Sequence, residues 1–340
     1  MPKRITLQDV ADAVGLAPAT VSYALRGERG SDETVRRVRQ TAETLGYQVD
    51  PVARALASGR SRTVAVLCGS TRDLWQQSLA ARLARALMAE GRHAIVADAD
   101  GGPDREEELL AMLRDQRPDG FLVAPLDPFA PQWEALARQV PVVAIGDRLS
   151  RAPSAGSVVF DNASGFRLVF DHLASLGHQR IAVVLPQRPS TPDRPAERLV
   201  AAEAKRHGVV TTLVRTPPAT SDPDTMTDHL ALALTDPDAR QRPTAAFCLT
   251  DSFAFGVLRA ADRVRLAVPG DLSVVGFEDV EFADLAGPGL TTVSWGREAV
   301  VDAAVSQLLA AVDADASLET RTITPTLVVR GTTAVPATSR

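Results

Sequence analysis

Two stretches of this chain repeat one another's order, and that repeat constrains the fold more tightly than any other feature. LMAEGRHAIVADAD at 87–100 parallels AKRHGVVTTLVRT at 204–216, and DQRPDGFLVAP at 115–125 parallels QRPTAAFCLTD at 241–251. Around them lie the strand-like runs RTVAVLC, HAIVADAD, GFLVAP and PVVAIGD, followed by a second series, RIAVVLP, VTTLVRT, AAFCLTD and LSVVGFE. Helical periodicity fills the intervals at 75–90, 104–116 and 131–139, and again at 163–176, 196–207, 224–234 and 253–261. Strands alternating with helices build a parallel sheet covered on both faces. Residues 62–333 therefore read as two similar α/β lobes facing a cleft. The first takes about 62–161 and 293–323, the second about 162–292 and 324–333. Sheets of this kind hold ligands at the carboxyl ends of their strands, here the cleft.

The amino-terminal stretch ITLQDVADAVGLAPATVSYALRG, 5–27, follows another rule. Thr6 can cap a helix over 7–14, with Asp9 completing a capping box. Leu7, Val10, Ala11 and Val14 share one face. Gly15 suits a left-handed turn, and Pro18 suits the first turn of a second helix over 18–25. Val21, Ala24 and Leu25 point inward, leaving Ala19, Thr20, Ser22 and Tyr23 outside. Ser31 caps a third helix over 32–46, with Val35, Val38, Ala42 and Leu45 inward. This is a helix-turn-helix, whose second helix enters the major groove amino end first. Thr20 and Ser22 can bond phosphates, Tyr23 can bond or stack, and Pro18 and Ala19 can meet thymine methyls. The plainer reading is a helical hairpin with its polar face in water. Beyond it, Asp50 and Pro51 open a short helix in VARALASGRSRT. Such a helix is marginal alone but can fold against DNA and its own copy, with Ala53 and Ala57 allowing close approach and Leu56 as a minor-groove wedge.

The domains expected are therefore a headpiece over 1–48, a hinge helix and linker over 49–61, an effector-binding and dimerisation body over 62–333, and a flexible tail over 334–340. Charge follows this division: residues 1–62 carry a net +3, and the remainder −8 of a total of −5. A basic head on an acidic body suits a DNA reader. No apolar run approaches the roughly 20 residues of a membrane helix, and no signal segment follows the basic start, so a cytoplasmic protein is expected, nucleoid-associated when bound to DNA. Cys68 and Cys248 close apolar strands and read as small buried residues. The five histidines lack metal spacing. Neither a glycine-rich phosphate loop, an HExxH pair nor a nucleophile elbow occurs, so neither enzyme activity nor a cofactor is expected.

Several blocks, in order along essentially the whole chain, resemble the lac repressor/galactose repressor (LacI/GalR) family. They are TLQDVADAVGLAPATVSYALRG, SDETVRRVRQTAETLGYQVDPVARALASGRSRTVAVL, FDNASGFRLVFDHLASLGHQRIAVV, VPGDLSVVGFEDVEFADL and PGLTTVSW. The resemblance implies a homodimer on a near-palindromic operator. Its periplasmic-binding-protein-like body would rearrange the hinge helices when a small molecule binds. It assigns base reading to Pro18, Ala19 and Tyr23, phosphate contacts to Thr6, Thr20, Ser22 and Tyr47, and the hinge contacts to Ala53 and Leu56. Two departures are visible: Ala17 replaces the usual serine cap, and Tyr23 a common arginine.

Effector contacts are expected just past the strands. From the first series these are Ser70, Thr71, Trp75, Pro125, Asp147 and Arg148. From the second they are Phe160, Asp161, Arg198, Asp251, Phe253 and Glu278, with Trp295 after the LTTV strand. For each, scaffold or surface is the competing reading. The resemblance supports Arg198, Asp251, Glu278 and Trp295 most directly. Ala201 stands where a glycine is usual, Glu278 where an aspartate is, and Trp295 where glutamine is frequent. Aromatic planes, carboxylates and arginine together suit a carbohydrate. The expected function is a sequence-specific repressor released by a small metabolite, most simply a sugar. The alternatives are a corepressor-dependent regulator sensing a nucleobase or other metabolite, an architectural DNA-binder without effector control, and a solute-binding protein without regulatory role. The tail after Arg330, which reads as frayed, lacks the leucine heptads of a tetramerising coil. A dimer using first-lobe helices such as 79–91 is expected.

Overall fold

Short polar side chains start two of the three helices of the amino-terminal unit. In α1 (Leu7–Val14) Thr6 Oγ1 accepts from the Asp9 amide, and Asp9 Oδ2 accepts from the Thr6 amide at 2.8 Å. In α3 (Asp32–Thr44) Ser31 Oγ accepts from the Thr34 amide at 3.3 Å. Between them α2 (Pro18–Arg26) starts from Ala17 with no side-chain cap. Gly15 takes φ +67°, which sets the turn between α1 and α2. Val10, Ala11, Val21, Ala24, Val38 and Ala42 form the core, with Leu25, Val35, Leu45 and Tyr47 packed at its margin.

The computed structural model describes residues 5–27, 29–47, 59–187, 196–216, 223–235, 241–285 and 287–337. The chain divides into two compact units, 1–61 and 62–340. The hinge positions Ala53 and Leu56 lie outside the described residues, as does most of 188–197 and 217–224.

In the second unit the repeat becomes two sheets of the same plan. The first runs in the order β11 (Thr320–Ile323), β5 (Gly156–Phe160), β4 (Val142–Gly146), β3 (Gly120–Val123), β1 (Thr63–Cys68), β2 (His93–Asp98). The second runs β12 (Thr326–Val328), β10 (Thr291–Ser294), β9 (Ser273–Glu278), β8 (Ala245–Cys248), β6 (Arg180–Pro186), β7 (Val210–Thr216). Every pairing is parallel except the antiparallel β10–β12.

Helices cover both faces of each sheet. In the first lobe, α4 (Leu74–Ala89) and α11 (Arg297–Ala314) bury Leu79, Leu83, Ala304 and Leu308 on one face. On the other, α5 (Pro103–Asp115) and α6 (Gln132–Ala137) bury Leu110, Leu113, Trp133 and Leu136. In the second lobe, α7 (Asn162–Ser175) and α8 (Ala196–His207) cover one face with Phe166, Phe170 and Val200. There, α9 (Pro223–Leu234) and α10 (Asp251–Arg263) cover the other with Met226, Leu230 and Val257.

The chain passes between the sheets three times: after Phe160, around Trp295, and between Ile323 and Thr326. Cys68 and Cys248 end buried strands as free thiols, and burial pushes Cys68 up to about 12. One expectation fails here. The segment after Arg330 is not frayed, because Thr332 is fully buried. Its hydroxyl donates to the Val274 carbonyl and accepts from the Thr291 amide, while the Ala334 amide donates to Ser273 Oγ. Polar residues can enter a core when every group finds a partner.

Candidate functional site

On the amino-terminal unit, α2 presents Ala19, Thr20 and Tyr23 to solvent, with Pro18 and Ser22 half-buried beside them. These residues form the outward face drawn from periodicity. Arg29 was missed: its guanidinium lies 5.4 Å from the centre of the Tyr23 ring. Tyr23 stands where the resemblance sets an arginine, and Arg29 brings a cation to that ring. Thr6 is exposed, with its hydroxyl held in the α1 capping box. Tyr47 packs half-buried against the small core.

In the second unit a cavity of about 440 Å³ lies at the crossovers. Its centre is a run of aromatic rings. Phe160, ending β5, stacks on Trp295 with centroids 4.6 Å apart, and Trp75 from the first turn of α4 meets Phe160 edge-on at 5.4 Å. Trp295 in turn meets Phe277 of β9 at 5.2 Å, and Phe277 meets Phe166 of α7 at 5.7 Å. The chain has only 15 aromatic residues (three Trp, two Tyr and ten Phe), so five on one wall is a strong concentration.

The polar part of the wall comes from the second lobe. Arg198 and Glu197 lie in the first turn of α8, Arg215 near the end of β7, Thr250 before α10 and Glu278 at the end of β9. Arg215 Nη2 pairs with Glu197 Oε1 at 2.5 Å. Glu278 has φ +124° and Asp279 φ +52°, two consecutive non-glycine residues held in a region L side chains rarely adopt.

Trp75, Phe160, Arg198, Glu278 and Trp295 are therefore brought together, whereas the other expected residues lie elsewhere. Asp251 is fully buried. Its carboxylate accepts from the Val280 amide at 2.8 Å and Thr292 Oγ1 at 2.6 Å, and burial raises it to about 6. Only glycine fits at 276, since a Cβ there would lie 2.1 Å from Asp251 Oδ1. Phe253 packs into the opposite face of the second sheet. The Ser70 amide donates to Gln76 Oε1 at 3.1 Å, Thr71 bonds Asp98, and Asp161 caps α7 through Ser164. Asp147 and Pro125 are buried away from the wall, and Arg148 is exposed outside it.

Sequence reading missed Asn162, Phe166, Leu185, Pro186, Glu197, Arg215, Thr250 and Phe277, as well as Ala196, Leu199 and Leu249. The rule that found the others, taking residues at strand ends, also points to Pro186, Arg215 and Thr250. Phe166 sits mid-helix and carries no such signal. Among the described residues, no group of three or more His, Cys, Asp and Glu is placed to hold a metal, and no helix is long and apolar enough to cross a membrane.

Known proteins match both units. The profile of bacterial regulatory proteins, lacI family, matches residues 6–50, and that of the periplasmic binding protein-like domain matches 170–333. The transcriptional regulator MalR of Streptomyces coelicolor is 31% identical over 339 residues, covering 96% of each chain. The ribose operon repressor of Escherichia coli K12 is 26% identical over 331 residues, covering 96% of this chain and 99% of that one. A crystal structure of the lac repressor dimer bound to operator and the anti-inducer ONPF superposes with a TM-score of 0.82 at 26% identity. It covers 98% of this chain and 100% of that one.

Proposed function

Since the chain belongs to the lac repressor/galactose repressor family of bacterial transcriptional regulators, we propose that it is a repressor whose homodimer holds a near-palindromic operator and releases it when a small carbohydrate fills the cavity. Members of the family are DNA-binding regulators answering to a small-molecule effector, and this chain is such a regulator rather than an enzyme. The observation that carries the carbohydrate reading is the division of the cavity wall: Trp75, Phe160 and Trp295 offer flat apolar faces, and Arg198 and Glu278 offer charge. A sugar ring has the complementary pair of surfaces, apolar C–H faces and an equator of hydroxyls. A relative named for a ribose operon lends support. Arg198 and Glu278 would take hydroxyls, Trp75 and Trp295 would cover the ring, and α2 with Arg29 would face the bases and phosphates.

Stacked rings also suit a nucleobase acting as corepressor. One experiment separates the two: select bound DNA from a random pool, then add monosaccharides, disaccharides and nucleobases while following both DNA release and tryptophan emission. Release by a sugar with a change in emission is the expected result. For that compound Arg198→Ala should weaken binding about tenfold or more, the loss of a charged hydrogen bond. Tighter DNA binding with a nucleobase would overturn the release reading, and an emission spectrum unmoved by a compound that releases DNA would remove Trp75 and Trp295 from the site.

A further inference from the structure

Glu278, Asp279, Val280 and Glu281 follow one another out of β9, and each is tied to a different place in the second unit. Glu278 lines the cavity. Asp279 Oδ1 accepts from Arg330 Nη2 at 2.8 Å, and the Val280 amide donates to the buried Asp251 at 2.8 Å. Glu281 Oε1 accepts from Arg82 Nη2 at 2.5 Å and from Ser78 Oγ at 3.4 Å. Ser78 and Arg82 stand on α4 of the first lobe, whereas Glu281 follows β9 of the second, so these bonds cross from one lobe to the other. Arg82 is also held by Glu298 in the first turn of α11, with Nη1 to Oε1 at 2.8 Å. Trp75 on the same helix supplies the first-lobe side of the cavity wall.

The backbone joining Glu278 to Glu281 has little freedom to absorb a push. Its first two residues are held at positive φ, and its third is fixed through the amide. Such strain persists only where the surroundings over-determine the conformation, and here a bond on either side of the turn does so. We infer that Arg82 and Glu281 form an interlobe latch, set from the cavity through Glu278 and governing how firmly the second lobe is clasped to α4. A ligand that displaces Glu278 moves Glu281 with it. The latch then tightens or parts, and the angle between the lobes follows. Arg82 is in this sense a positioning residue, acting on the cavity through the lobes rather than by touching what it holds. An ordinary surface pair would contribute little and leave the lobes where they are.

The inference rests on the cavity being the effector site, but its test needs no effector, so failure of the effector search would not count against it. Trp133 is fully buried in the first-lobe core, while Trp75 and Trp295 report on the cleft. Acrylamide quenching of the full-length protein is compared for wild type, Glu281→Gln, Arg82→Glu, and Arg82→Glu with Glu281→Arg. Glu281→Gln keeps the Arg82–Glu298 pair and is the mildest change. Parting of the latch should raise the quenching constant in both single variants, by roughly twofold for a population moved from closed to open. The exchanged pair, in which the carboxylate introduced at 82 also faces Glu298, should bring it part of the way back to the wild-type value. Folded single variants with wild-type quenching would overturn the latch, as would an exchanged pair that stays as open as Arg82→Glu.

Discussion

The two lobes share one strand order and almost nothing of their charge placement. The first lobe turns only rings, Trp75 and Phe160, toward the cavity and keeps a nearly buried ion cluster at the other end of its sheet. There Arg92 Nη1 meets Asp119 Oδ2 at 3.0 Å and Nη2 meets Asp313 Oδ1 at 2.5 Å, while Asp119 also accepts the Arg62 amide at 2.9 Å. The second lobe turns its charge toward the cavity and leaves most of its other ion pairs at the surface, as in Arg206 with Asp171. A duplicated fold therefore fixes where a site can be, the carboxyl ends of two sheets, without fixing which half supplies recognition. The first lobe lines its side of the cavity with rings and holds the point where the chain enters the body, at Arg62.

The largest effect should come from the buried cluster. Asp119 has a side chain only 7% exposed, and that of Arg92 is 10% exposed. Arg92→Leu takes the guanidinium away from that buried carboxylate, which should cost about 3 kcal/mol of unfolding free energy, read by urea denaturation. A loss under about 1 kcal/mol would place this pair with ordinary surface pairs and erase the contrast between the lobes at their far ends.

Both lobes also hide a carboxyl that ties down a loop at the cleft edge, and here the comparison is one of degree. Glu106 on α5 accepts the Leu126 amide at 2.8 Å, and burial raises it to about 7. Asp251 accepts two donors and is raised to about 6. For both groups the folded chain holds the proton more tightly than the unfolded chain. Their stabilising contribution is therefore complete below the unfolded pKa and is lost as pH rises through the folded value. Stability should decline between about pH 4 and 7.5. Roughly 3 kcal/mol of the decline should come from Glu106, because holding its proton over each further pH unit is worth about 1.4 kcal/mol. Glu106→Gln, which keeps the acceptor for Leu126, should remove somewhat more than half of that decline, Asp251 supplying the rest, and stabilise the protein at about pH 8. Urea midpoints measured across this range check it, and an unchanged slope in Glu106→Gln would show that the first-lobe carboxyl is not the more strongly affected of the two.

What could be read from the sequence divides along similar lines. Local rules worked where chemistry is local: the Thr6–Asp9 capping box, the Ser31 cap, Gly15 in a left-handed turn, and the apolar runs that became β1, β3, β4, β6, β8 and β9. They failed where distant parts of the chain meet. β11 and β12 are short, partly exposed strands that no apolar run marks, although the division of the lobes at 323/324 does fall between them. The sequence marks a carboxylate after β8 but not its direction, and Asp251 turns inward because the Val280 amide and the Thr292 hydroxyl both need an acceptor. Strand-end position recovered Trp75, Phe160 and Trp295, but their stacking depends on chain crossovers far apart in sequence. Arg29 was missed for a related reason, since its relation to Tyr23 depends on the path of a turn rather than on helical periodicity.

The smallest expected effect completes the comparison from the second lobe. Arg206 Nη1 lies 3.1 Å from Glu203 Oε2 and Nη2 lies 3.5 Å from Asp171 Oδ1, with the Arg206 side chain 50% exposed. Water already solvates that guanidinium, and the nearly buried Glu203 that it leaves behind still has Arg167 Nε at 3.9 Å. Asp171 keeps His207, whose Nε2 lies 3.0 Å from Oδ1. Arg206→Ala should therefore cost about 0.5 kcal/mol or less, and added salt should shrink the difference further by screening exposed charge. The measurement is a pair of urea titrations at low and high ionic strength, run beside Arg92→Leu. The contrast requires a small, salt-sensitive loss for Arg206 and a large, salt-insensitive one for Arg92. Equal losses would mean that the lobes differ in what they show the cavity but not in how their ions support the fold.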